Sequence, residues 1–208
     1  MRRRFAYIAA AFAFSAVGVH AQDTAMSFFV TSANPGKGGD LGGLASADAY
    51  CNTLATAAGS TGKTWKAYLS TDAENAKDRI GSGPWHNAKG EKIADDVASL
   101  HSGKNNLTKQ TALNEKGEVI NGRGDTPNRH DILTGSKADG TAAPETCGNW
   151  TMGGAEGVAI VGHSDRTGLN ASAEAKSWNS SHPTRGGCTV EAFKTTGGDG
   201  LFYCFAAN

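Results

Sequence analysis

The sequence predicts an α+β domain: small antiparallel sheets, one main helix, a loop-rich surface and two disulfides. Three observations carry this. Strand-like segments open and close the chain, with one strongly helical segment after the first of them. Glycine supplies 28 of the 208 residues and only 19% are charged, a composition suited to many turns around a modest core. Four cysteines, an even number, lie behind an N-terminal export signal, which argues for structural bridges. Spacing alone leaves three pairings open.

The export signal comes first in the chain. Met1-Arg2-Arg3-Arg4 is followed by an uncharged apolar run from Phe5 to Val19 and by the small-residue site Val19-His20-Ala21. A membrane-spanning helix wants about 20 apolar residues, and this run is shorter. No cysteine follows it closely, so a lipid anchor is not expected. Residues 1–21 are therefore read as a cleaved signal peptide and 22–208 as one domain, periplasmic or secreted, with no membrane span after cleavage. The full chain balances 20 basic against 20 acidic residues; loss of Arg2, Arg3 and Arg4 leaves 17 against 20, a net charge of −3. Without a basic run, nucleic acid is a poor partner.

Met26 to Ser32 is rich in β-formers and ends at Asn34-Pro35-Gly36, so it reads as a strand entering a loop. Ser46 can cap a helix that runs to about Ala58, with Gly59 as its stop. Ala47, Tyr50, Cys51, Leu54, Ala55 and Ala58 follow helical spacing and mark its buried face. Thr64 to Ser70 alternates as a second strand, and a weaker helix is expected over Asp95 to Leu100. The stretch from Gly81 to Thr111 is otherwise rich in Gly, Asn and Lys. Leu113 to Ile120 suits a small hairpin around Lys116-Gly117. Later strands are expected at Asp131 to Thr134, Cys147 to Met152, Val158 to Gly162 and Leu201 to Ala206. No internal repeat or linker is found.

Seven segments carry a resemblance. They are Ala47-Asp48-Ala49-Tyr50-Cys51, Lys66-Ala67-Tyr68-Leu69-Ser70, Asp78-Arg79-Ile80-Gly81-Ser82-Gly83-Pro84-Trp85, Ile132-Leu133-Thr134-Gly135-Ser136, Cys147-Gly148-Asn149-Trp150, Gly162-His163-Ser164-Asp165-Arg166 and Leu201-Phe202-Tyr203-Cys204-Phe205. In this order, across most of the mature chain, the sequence resembles the C-type-lectin-like fold. Within that fold it is similar to the endostatin-like branch and its bacterial relatives of unknown function, some of which bind host matrix or plasma proteins. The resemblance implies nested bridges, Cys51 with Cys204 and Cys147 with Cys188. It also directs attention to calcium, which sugar-binding members hold with acids before the third-strand cysteine and a Trp-Asn-Asp segment after it. Here Asp139 and Glu145 precede Cys147, and Asn179 stands in Trp178-Asn179-Ser180, but the acid after Asn179 is missing. Calcium wants six to eight oxygens, often with several carboxylates, so these three are weak calcium candidates and no cofactor is expected. Heparin binding and N-terminal zinc, both properties of endostatin, lack their clustered arginines and histidines in this chain.

Trp65 and Trp150, on expected strands, read as core. Trp85 and Trp178 fall near Gly/Asn/Ser-rich segments, where exposed rings could stack on a sugar. Asn179, His182 and Asp199, placed in the late loop region, could add polar contacts. His163-Ser164-Asp165 holds the residue types of a hydrolase triad, but adjacent residues do not make its relay and no Gly-x-Ser-x-Gly elbow exists. His86, His101, His130, His163 and His182 show no zinc spacing. Arg123-Gly124-Asp125 reads either as an integrin-type motif or as a polar turn.

The expected function is a non-enzymatic, exported binding protein. Its partner would be a glycan or an extracellular protein, held on the long-loop face without obligatory calcium. The alternatives are an envelope enzyme acting on polysaccharide, which needs two facing carboxylates, and a structural envelope component.

Overall fold

The computed structural model describes residues 26–208, so the expected signal segment lies outside the described residues. In chain order the elements are β1 (Phe28–Val30), α1 (Gly43–Ala57), β2 (Trp65–Ala67), α2 (Ala76–Arg79), β3 (Trp85–His86), β4 (Lys92–Ala94) and α3 (Val97–Leu100). They continue with β5 (Asp131–Leu133), α4 (Cys147–Trp150), β6 (Ile160–His163), β7 (His182–Pro183), α5 (Val190–Thr196) and β8 (Gly198–Ala206).

β8 organises the rest. From Leu201 onward it is continuously apolar, as a strand buried on both faces must be. Phe202, Cys204 and Ala206 point into one cluster with Phe29, Trp65 and the buried face of α1. Leu201, Tyr203 and Phe205 point into a second cluster with Phe28, Tyr68, Trp85 and Trp178. β1 and β2 pair with β8 antiparallel, whereas β5 pairs with it parallel. The sheet is therefore mixed, which corrects the expectation of antiparallel pairing throughout. A parallel pair needs a long crossover, and the connection from β5 to β8 includes α5, a helix the sequence reading did not anticipate.

α1 starts at Gly43, earlier than Ser46; Gly42 stands at the N-cap in the left-handed region at φ 73°, a conformation glycine takes freely. Ala47, Cys51 and Ala55 are its buried residues, with Leu54 and Tyr50 packed alongside. α3 is capped by Asp96, which accepts from the Ser99 N–H. The Leu113–Val119 pairing reduces the expected hairpin to one bridge. The expected strand over Cys147 to Met152 is instead a tight turn. Cys147, Gly148, Asn149 and Trp150 all have positive φ, which turns the chain so that Cys147 meets Cys188 while Trp150 Nε1 donates to the Ser70 carbonyl at 2.8 Å.

Two nested disulfides join Cys51 to Cys204 and Cys147 to Cys188. The first ties α1 to β8 across the larger cluster. Trp65 and Trp150 are core residues, as expected, although Trp150 sits in the turn and not on a strand. The expectation of exposed rings at Trp85 and Trp178 is overturned: they are 1% and 3% exposed. Trp85 meets Phe205 edge-on at 5.3 Å and donates to the Ala206 carbonyl, and Trp178 packs on Tyr68 at 4.8 Å. The glycine-rich loops fold over the second face of the sheet, and the large rings fill the space beneath them.

Beside α1 lies a buried charge cluster. Arg79, whose side chain is 4% exposed, pairs with Asp48 at 2.7 Å and with the half-exposed Glu74 at 2.6 Å, and its Nε donates to the Ala67 carbonyl. Asp48 also accepts from the Ala67 N–H. Removing one partner strands a buried charge. Arg79→Ala is therefore expected to lower unfolding stability by about 3 kcal/mol in urea denaturation; a loss below about 1 kcal/mol would show that water already reaches Asp48.

Candidate metal centre

β5, β6 and β7 lie side by side, with Asp131 registered against His163 and Val161 against His182. Residues opposite each other, and residues two apart on one strand, share a sheet face. Asp131, His163 and His182 therefore project from the same face. Gly162 makes this possible, because a Cβ there would collide with the Trp178 backbone. The segment before β7 can then lie across β6, with the His163 N–H donating to Ser177 O and the Ser181 N–H to Val161 O. His130, just ahead of β5, stacks parallel on His163 with ring centroids 4.3 Å apart.

Three imidazole nitrogens converge on one oxygen. His130 Nε2, His163 Nε2 and His182 Nε2 lie 3.2, 3.3 and 3.6 Å from Asp131 Oδ1. Asp131, His130 and His163 are almost wholly buried, and His182 is about one-third exposed. None of the three contacts has hydrogen-bond geometry. Both Asp131 oxygens and His163 Nε2 are buried without a hydrogen-bond partner among the described residues.

The other ring nitrogens explain why. His130 Nδ1 lies 2.9 Å from Asp165 Oδ1, His163 Nδ1 lies 2.7 Å from the Ala175 carbonyl, and His182 Nδ1 lies 3.0 Å from the Pro183 carbonyl. Each of these partners is an acceptor, so each Nδ1 carries the proton. In a neutral ring that leaves Nε2 as a lone pair. Three lone pairs and a carboxylate facing one another repel unless a proton or a metal cation lies among them. An Nδ1–H bonded to a carboxylate or carbonyl is the outer arrangement that orients metal-ligating histidine. The nitrogen-to-oxygen distances of 3.2–3.6 Å are close to the 3.3–3.5 Å or so that metal bonds of about 2.0–2.2 Å at tetrahedral angles set between neighbouring ligand atoms.

The electrostatics describe the ion-free cluster, in which protonated imidazole fills the place a cation would take. Burial would raise the Asp131 carboxyl, but the imidazoles of His163, His182 and His130 outweigh it and hold it at about 2. The Asp131 carboxylate is the main reason His182 is held above the usual histidine value. Burial also opposes ionisation of Asp165, yet the His130 ring and the N–H groups of Arg123 and Thr167 keep it below the ordinary carboxylate range. The centre thus holds carboxylates in their charged form, as cation binding requires.

A cavity of about 430 Å³ opens on this cluster, lined by His130, His163 and His182 together with Arg123, Arg185 and Glu174. Of the residues expected to contact a ligand, His182 alone lines it. Trp178 and Asn179 lie at a second cavity of about 410 Å³, where the buried Asn179 amide is committed to Tyr68 and to the Lys137 and Ala138 carbonyls. Asp199 lies on β8, not in a loop, and pairs with Arg129 at 2.8 Å. The weak calcium candidates fare no better: Asp139 is an exposed turn residue accepting from Thr141, and the Asn179 oxygen accepts from Ser177. Glu145 is half-buried. Asp125 of the Arg-Gly-Asp tripeptide pairs with Lys109 at 2.5 Å. Asp165 serves His130 and not its near neighbour His163.

Histidine spacing gave no sign of this group, yet the described residues His130, Asp131 and His163 lie close enough together to hold a metal ion. Spacing rules detect ligands brought together by one helix or one turn, whereas here three strands do it. Comparison of the chain with known protein families and with curated proteins finds no match.

Proposed function

We propose that this chain is an exported metal-binding protein whose centre is Asp131 with His130, His163 and His182. The carrying observation is the convergence of three Nε2 atoms on Asp131 Oδ1. Imidazole nitrogens with one carboxylate oxygen suit zinc, copper or nickel better than calcium, which prefers oxygen ligands throughout. The nested disulfides, which suit an oxidising compartment, support the export reading. The helix-to-terminal-strand bridge supports a C-type-lectin-like, endostatin-like scaffold. Among the described residues no helix is long and apolar enough to cross a membrane. The glycan reading loses its motivating ring platform, since Trp85 and Trp178 are buried.

A metal lies in the plane of the imidazole that binds it, and the His130 and His163 planes are within 4° of parallel. One of these rings must tilt when an ion enters. His182 crosses His163 at 64° and needs less rearrangement. Full-length mature protein, stripped with a chelator and titrated with Zn²⁺ by calorimetry, is expected to take up one equivalent with micromolar or tighter affinity. Failure to retain Zn²⁺, Co²⁺ or Cu²⁺ would leave the cluster as an imidazolium–carboxylate centre and reject the proposal.

A further inference from the structure

We infer that the cavity above the metal centre binds a small oxyanion, a carboxylate or phosphate group, as an outside ligand of the metal. This rests on the metal-binding reading. Arg123 and Arg185 both line the cavity, and neither guanidinium has an ion-pair partner among the described residues. Arg185 lines the same cavity wall as His182. The Arg123 backbone is fixed to the same carboxylate that orients His130: its N–H donates to Asp165 Oδ2 at 2.7 Å, while Asp165 Oδ1 holds His130 Nδ1. The Arg123 loop and a metal ligand are thus placed by one side chain.

Charge decides what the cavity accepts. Two guanidinium groups outnumber the single carboxylate of Glu174 at its wall. A divalent ion with Asp131 as its one anionic ligand adds further positive charge. Guanidinium matches carboxylate and phosphate oxygens in planar, bidentate fashion. The volume, about 430 Å³, lies in the range of small-molecule sites. His182, half-buried at the cavity wall, leaves the metal reachable from that side.

The test uses the Co²⁺-loaded mature protein, whose visible absorption reports a new metal ligand. Inorganic phosphate and acetate are titrated separately at constant ionic strength, with chloride as control. Saturable spectral change with phosphate or with acetate is expected, and the more effective probe identifies the oxyanion class. Arg123→Ala combined with Arg185→Ala should weaken that binding at least tenfold without lowering Co²⁺ affinity. Glu174→Gln should strengthen it. A Co²⁺ spectrum indifferent to both anions overturns the inference, as does equal anion affinity in the arginine double variant. Absence of Co²⁺ uptake in the first titration would instead overturn the metal reading beneath it, so the two failures are distinguishable.

Discussion

Replacing Cys51 and Cys204 together with alanine is expected to remove about 5 kcal/mol of unfolding stability. The bridge closes a sequence separation of 153 residues. In the chain-entropy treatment that constraint on the unfolded chain is worth about 5 kcal/mol, against about 4 for a separation near that of Cys147 and Cys188. Because the smaller loop is nested in the larger, losses from removing both bridges should fall short of the sum. A domain's whole stability is about 5–15 kcal/mol, so the variant should unfold at far lower denaturant. Guanidinium titrations of the two paired-alanine variants decide the matter. A larger loss for the Cys147–Cys188 pair would show that local packing, not closure of the long loop, sets the contribution.

Asp131→Asn should cost more in function than any other substitution. It keeps the shape but removes the single anionic ligand on which the three imidazoles converge. Zinc affinity is expected to fall by more than about 100-fold, since even outer hydrogen-bond partners of metal ligands carry about 10–100-fold. Asp165→Asn, which acts only by orienting His130, should fall within that lesser range. Zinc at about 100 times its dissociation constant should stabilise the wild-type fold by about 2.7 kcal/mol, visible as a raised melting temperature. That shift should vanish in Asp131→Asn and persist in Arg123→Ala. Equal zinc affinity in wild type and Asp131→Asn would remove Asp131 from the centre.

Local chemistry made much of the fold legible. The β-forming run at Phe28–Val30, the alternation around Trp65–Ala67 and the apolar run ending at Ala206 all became strands. The helical periodicity of Ala47, Cys51 and Ala55 marked a real buried face. The elements that escaped notice are short: α2 has four residues, β3 has two and α5 has seven. Such elements are held by tertiary contacts instead of by their own propensity. Cys147–Trp150 has the apolar content of a strand but turns in the left-handed region, because its cysteine and its indole must reach different partners.

The sequence by itself determined which segments would be apolar and regular, and that four cysteines would close the structure. These follow from composition and short-range periodicity, which each segment carries within itself. Tertiary structure alone decided that Trp85 and Trp178 lie under loops, and that His130, Asp131, His163 and His182 share one centre. The reason is register: neighbouring strands bring residues far apart in the chain within bonding distance, and no spacing along a single segment encodes that approach.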